Sequence, residues 1–219
     1  MKIALTLLLA FLSVSLFAQA DGQEKLDAAM TTYLAGGMDS ALVLVDQAIT
    51  LSPNMAKAYK LRGDIHQRLK DMDAAMDDYK AAEKLDPSDP RLYVSRSALR
   101  ITDGNFKGGL RDADKALDLD PKDADAWYDR SCAQYLGGDP DAAMKSAKKA
   151  MDLRPDYAEA LYLIGVVEGE QNDGEAGLED ISKALSMQPK IPGGLMSMAV
   201  LLYESKQYEQ AITKLTEVI

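Results

Sequence analysis

The sequence offers little that could do covalent chemistry. It holds one cysteine, Cys132, and one histidine, His66. A lone cysteine cannot form an internal disulfide, and one Cys with one His supplies too few ligands for a structural zinc site. A nucleophilic thiol would need a base beside it, and no histidine stands near Cys132 in sequence. Gly108-Gly109 and Gly193-Gly194 follow no strand, so neither opens a phosphate loop. The residues therefore call for no catalytic group, no cofactor and no metal. Tyrosine is more informative. Tyr128 and Tyr135 are seven residues apart, two turns along one helical face, and Tyr162 follows Tyr128 by 34 residues. With Tyr203 they bring large apolar rings that end in hydrogen-bonding groups, a combination enriched where proteins touch. Lys57, Lys60 and Arg91 add positive charge earlier in the chain.

The 34-residue interval is the chain's period. Pro53, Pro87, Pro121, Pro155 and Pro189 are each 34 residues apart. With each at position 32 of a unit, the repeats run 22–55, 56–89, 90–123, 124–157 and 158–191, and an incomplete sixth covers 192–219. Position 8 is small throughout (Ala29, Gly63, Ser97, Ser131, Gly165, Ala199), as is position 20 (Ala41, Ala75, Gly109, Ala143, Gly177, Ala211). Position 27 reads Ala48, Ala82, Ala116, Ala150, Ala184 and then Val218.

Each unit divides into two helices. Asp71, Asn105, Asp139 and Asp173 at position 16 are N-caps for the second, and Pro140 suits a first helical position. Gly36, Gly104 and Gly138 at position 15 end the first helix, and the position-32 proline closes the second. Small residues let helices approach, while large ones at 4, 7, 21, 24, 28 and 30 fill the space between. The acidic pair Asp77-Asp78 reads as solvated surface on an outer face.

Composition agrees with an all-α chain. Hydrophobic residues make up 47% and aromatics only 6%. The 35 acidic side chains outnumber the 25 basic ones, for a formal charge of −10. Such a surface repels nucleic acid and anionic lipid. The first twenty residues read as a cleavable secretory signal. Lys2 is a short basic region, Ile3 to Phe17 is apolar, and Ala18-Gln19-Ala20 places cleavage after Ala20. The apolar run is too short to span a bilayer comfortably, and no later stretch could cross one. The location expected is periplasmic or secreted, and the signal has a bacterial look.

The pattern resembles the tetratricopeptide repeat family: large at 4, small at 8, alanine at 20 and 27, proline at 32. The likeness covers residues 22–219 and is carried best by Tyr59-Gly63-Ala75-Tyr79-Ala82-Pro87, Trp127-Ala143-Ala150-Pro155 and Leu161-Gly165-Ala184-Pro189. Departures are Lys25 at position 4, Glu83 at position 28, and Ala113 and Ala147 at position 24.

The resemblance implies an all-α, right-handed α–α superhelix of helix-turn-helix units whose first helices line a concave groove. Positions 2, 5, 9 and 12 would face it. Lys57, Lys60 and Arg91 then form a basic patch, and Tyr128, Tyr135, Tyr162 and Tyr203 an aromatic stripe, together fitting a segment with apolar side chains and an acidic end. The same tyrosines could instead pack against adjacent helices. The chaperone-tail carboxylate clamp is absent, because Asp64 follows Lys60 where the clamp needs asparagine and Ser95 stands at position 6 of the next unit. His66, at position 11, is expected to pack between helices. Function is expected to be a non-enzymatic protein–protein interaction scaffold of the cell envelope that binds a protein or peptide in the groove. The alternative is a docking or targeting arm of a longer envelope enzyme or cell-wall-binding protein.

Overall fold

The computed structural model describes residues 19–171 and 173–218, the side chain of the last excepted. The signal read over residues 1–20 lies outside them but for its final two positions, and so does Ile219. Among the described residues regular structure is helical throughout, as six hairpins in chain order. They are α1 (19–34) with α2 (Met38–Leu51), α3 (Ala56–Arg68) with α4 (Met72–Leu85), and α5 (Pro90–Thr102) with α6 (Phe106–Leu119). Then come α7 (Ala124–Leu136) with α8 (Pro140–Leu153), α9 (Ala158–Glu170) with α10 (Gly174–Met187), and α11 (Gly194–Glu204) with α12 (Tyr208–Val218). The chain forms two compact units, one through Leu99 and one from Arg100 onward.

Local chemistry sets the hairpins. Asp71, Asn105, Asp139 and Asp173 each accept a hydrogen bond from the backbone N–H three residues on, at 3.2, 3.0, 3.0 and 3.4 Å. Each cap satisfies one of the donors that a helix start leaves unpaired. Position 15 takes a left-handed backbone, with φ of +87° at Gly36, +77° at Gly104 and +87° at Gly138. Lys70 and Lys206 occupy the same place at φ 64° and 61° without being glycine. The second helices end alike: the N–H of Ser52, Asp86, Asp120, Arg154 and Gln188 returns to the position-27 carbonyl, and proline follows.

The small columns are the contact lines. Residues at positions 8 and 20 are buried in all six hairpins. Gly63 shows why: a Cβ there would meet the Tyr79 ring at 2.6 Å. In the first unit Leu26, Ala29, Val45, Leu61 and Ile65 form one cluster, and Tyr79, Ala82, Leu92 and Leu99 another. In the second, Ala147 packs with Leu163, Ile164 and Val167. Position 24 is sealed in the first five hairpins at every size from Val45 and Tyr79 to Ala113, Ala147 and Ile181, all 0% exposed, whereas Leu215 in the sixth is 40% exposed.

Three expectations need correction. Position 30 does not fill a core: Leu51, Leu85, Leu153 and Met187 remain about two-fifths exposed, because each ends its helix. Asp78 is not solvated surface. It is buried while Asp77 is exposed, since adjacent helical residues point about 100° apart. Position 7 is not apolar in three successive repeats, where it holds Arg62, Arg96 and Arg130.

Those arginines build a recurrent device. Arg62 lies over the Tyr59 ring, Arg96 over Tyr93 and Arg130 over Trp127, at 5.5, 5.3 and 5.5 Å from the ring centroids. Each also reaches an acid of the preceding second helix: Arg62 to Asp46 at 2.8 Å, Arg96 to Glu83 at 2.6 Å, Arg130 to Asp114 at 2.8 Å. Arg62 further holds Asp78 through two bonds, and Arg130 donates to Ser146. The aromatic rings anchor the turns, with the Tyr93 hydroxyl and the Trp127 indole N–H donating to the carbonyls of Pro87 and Pro121. In the second, third and fourth hairpins, positions 11 and 23 also meet: His66 with Asp78 at 3.8 Å, Arg100 with Asp112 at 2.6 Å, Ser146 with Gln134 at 2.6 Å. In the fifth hairpin this place holds two carboxyls, Glu168 and Asp180.

Candidate functional site

In the first unit, Lys57 and Arg91 are exposed near the starts of α3 and α5. Lys60 is half-buried and bonded to Asp64 one turn on, at 2.7 Å. Asp64 also accepts the Tyr79 hydroxyl at 2.9 Å, and Gln67 shares that hydroxyl at 2.8 Å. Lys60 therefore answers a buried network, and much of its charge is spent there.

In the second unit the four tyrosines sit on three first helices. Tyr128 on α7 is half-buried, its ring 4.9 Å from that of Tyr157. Its hydroxyl lies beside the Cys132 thiol, and burial holds both groups protonated. The thiol is pushed up to about 11, chiefly by burial and against the pull of the Tyr128 hydroxyl. Tyr135 donates to Glu170 at 2.6 Å, and burial followed by that carboxylate pushes its phenol up to about 12. Tyr162 shares a 2.8 Å hydrogen bond with Ser197. Tyr203 on α11 is 65% exposed, edge-on to Tyr208 at 5.4 Å.

The four rings do not stack on one another. Tyr135 and Tyr162 act as rungs, each reaching the following first helix 35 residues on. The hydroxyls of Tyr135 and Tyr162 tie hairpins together while part of each side chain stays accessible.

A cleft that sequence spacing left unmarked lies between α9 and α11. It has a volume of about 420 Å³ and is lined by Val166, Gly169, Glu170, Met196, Val200 and Glu204, among others. Met196 and Val200 are 46% and 47% exposed. Gly169 stands in this lining where the neighbouring first helices carry Tyr135 and Tyr203. A Cβ on Gly169 would come within 2.5 Å of the end of the Leu201 side chain, which would have to shift to admit it. Glu170 and Glu204, both exposed, stand 34 residues apart on the rim. Neither is paired with a cation among the described residues. Their shared interval was the available signal for them. Among the described residues, no three His, Cys, Asp or Glu side chains gather as a metal site.

Comparisons agree with this architecture. The tetratricopeptide repeat profile matches residues 23–90 and 99–158, more than half of the chain. No curated protein matches in sequence. Among solved structures, TTC0263, a thermophilic TPR protein of Thermus thermophilus, is 21% identical with a TM-score of 0.68, over 83% of this chain and 99% of that one. PilF of Pseudomonas aeruginosa is 12% identical with a TM-score of 0.78, over 90% of each chain. YrrB, described as a TPR protein with an unusual peptide-binding site, is 21% identical with a TM-score of 0.61, over 79% of this chain and 89% of its own. At these identities the likeness is one of fold. With the 34-residue columns, the capped hairpins and the profile match all in agreement, the chain belongs to the tetratricopeptide repeat family.

Proposed function

We propose that the protein is a non-enzymatic interaction scaffold of the cell envelope that docks a segment of a partner protein on the faces of its first helices. The fold is one that serves protein interaction in general. The observation that carries the reading is the partial exposure of aromatic rings on successive first helices, Tyr128, Tyr135, Tyr162 and Tyr203, beside exposed Met196 and Val200. Rings already held by hydrogen bonds at Glu170 and Ser197 lose little freedom when a ligand covers them. In the first unit Lys57 and Arg91 are the accessible charges, and Lys60 contributes only by leaving Asp64.

Export rests on Lys2, the apolar Ile3 to Phe17 run and the Ala18-Gln19-Ala20 end. Among the described residues, no helix is long and apolar enough to cross a membrane. N-terminal sequencing of protein recovered from the producing cell tests the location. A start at Asp21 supports it, and retained Lys2 overturns it.

For the docking face, a partner recovered with the protein is titrated against Tyr128→Ala and Tyr162→Ala. Each should weaken binding by about 1–3 kcal/mol, up to roughly a hundredfold. Charge reversal at Lys57 or Arg91 should cost less and fade with salt. Folded tyrosine variants that bind normally, while Asp77→Lys on the outer face abolishes binding, would sink the proposal.

A further inference from the structure

The cleft between α9 and α11 carries a more specific reading, which rests on the first-helix faces being the docking surface. Its apolar lining includes Val166, Met196 and Val200, and Gly169 presents no side chain to it. A volume of about 420 Å³ holds one or two large side chains. Apolar side chains left wet at Met196 and Val200 give the driving force. On the rim, Glu170 and Glu204 recur at position 13 with no cation beside them among the described residues. Glu170 already uses one oxygen on the Tyr135 hydroxyl, which fixes the carboxylate and leaves its other oxygen free to accept. Two carboxylates over an apolar floor, in a chain of net charge −10, select against acidic ligands and for cationic ones.

We propose that this cleft binds a partner segment bearing a large aliphatic or aromatic side chain next to a lysine or arginine. The apolar side chain enters between Val166, Met196 and Val200, and the cation bridges Glu170 and Glu204. Arginine fits this role best, because its planar fork can engage both carboxylates at once. The expectation drawn from Lys57, Lys60 and Arg91 was an acidic segment. In the second unit the charge calls for the opposite ligand.

The test selects binders from a random 12-residue peptide display library on the full chain, then measures the enriched peptides as synthetic probes. The expected enrichment is a basic residue within two positions of Leu, Ile, Met, Phe or Trp. Glu170→Gln with Glu204→Gln should weaken such peptides roughly tenfold, and their affinity should fall with added salt. Gln keeps an acceptor for Tyr135, so folding is preserved. Val200→Arg, a change at a half-exposed site, should remove binding altogether. If Val200→Arg abolishes binding but the double Gln variant does not weaken it, the charge reading is wrong and the docking face stands. If Val200→Arg, Tyr128→Ala and Tyr162→Ala all leave the peptides bound, the docking face itself is wrong. Enrichment of acidic peptides, or no binder at all, overturns the proposal.

Discussion

Arg96 and Glu83 form a two-bond pair between α5 and α4, with nitrogen–oxygen distances of 2.6 and 3.1 Å. Each residue departs from the apolar type that its position normally carries, and Glu83 answers an arginine that recurs at position 7. The preceding acid used by Arg62 and Arg130 is replaced here by Lys80, so Arg96 turns to Glu83 instead. Only 6% of the Arg96 side chain is exposed. Removing one partner should be costly: Glu83→Leu should destabilise the chain by about 1–3 kcal/mol even though leucine suits the position. Glu83→Leu with Arg96→Leu should recover most of that loss. Urea unfolding of the four species gives the coupling, and additive losses would show that the pair is idle.

Glycine at position 8 is a matter of space. Gly63→Ala would drive a methyl into the fully buried Tyr79 ring, whose hydroxyl is held by Asp64 and Gln67. Thermal melting should show a loss of about 1–3 kcal/mol, after allowance for alanine's better helix propensity. Gly174→Ala is the control, since the nearest atom to its Cβ is Ser205 Oγ at 3.7 Å. It should be neutral or slightly stabilising.

Lys70 and Lys206 hold the left-handed backbone that glycine takes at the same place elsewhere. A side chain in that conformation costs about 1 kcal/mol or more. Lys70→Gly and Lys206→Gly should each gain roughly 0.5–1 kcal/mol, read as a higher urea midpoint with unchanged slope. A lower midpoint would mean that the lysine side chain anchors its turn.

The facing carboxyls Glu168 and Asp180 make the fifth hairpin sensitive to pH. Burial, then the charge of Asp180, raises Glu168 above its ordinary value. Burial also raises Asp180, against the pull of Lys183 and Lys148. The folded chain therefore binds these protons more tightly than the unfolded chain does. Between the unfolded values near 4 and the higher folded ones, stability from this pair falls as pH rises. Above the folded values the penalty is fully present. Asp180→Asn should accordingly raise the urea midpoint at pH 7.5 and change it little at pH 4. An equal shift at both pH values would remove the carboxyl pair as its cause.

Cys132 should be a slow thiol. At about 11 its titration leaves the thiolate near neutral pH on the order of a hundredfold scarcer than for an ordinary thiol at 9.0. Iodoacetamide labelling of the native chain at pH 7.5 should lag behind the urea-unfolded chain by at least that factor. Equal rates would show the thiol to be open.

Much of the fold was legible because its signals are local. Asp71, Asn105, Asp139 and Asp173 cap the helices that follow them within three residues, and Gly36, Gly104 and Gly138 turn where only their own φ matters. The arginine column was written at the same 34-residue interval. Reading it required knowing that Asp46, Glu83 and Asp114 stand opposite across a helix pair, which no local rule supplies. Asp78 was misread for a related reason: beside Asp77 it looks like a surface pair until the helical phase is fixed by its partner Arg62. The tyrosine positions followed from periodicity, but the direction of each hydroxyl did not. Tyr135 finds Glu170 and Tyr162 finds Ser197 only once adjacent first helices are in place.

The recurrence of Arg62, Arg96 and Arg130 at one place in the unit has a consequence for how such a chain can change length. Excising 56–89 as a block would bring Asp46, the acid that Arg62 uses, opposite Arg96, and the ring beneath the guanidinium would travel with it as Tyr93. A cut one residue longer or shorter would turn Arg96 away from Asp46 at the new junction and leave it unanswered there, while Arg130 would keep Asp114. The charges thus enforce a reading frame on the folded chain: whole units can be lost or copied, and fractions of a unit cannot.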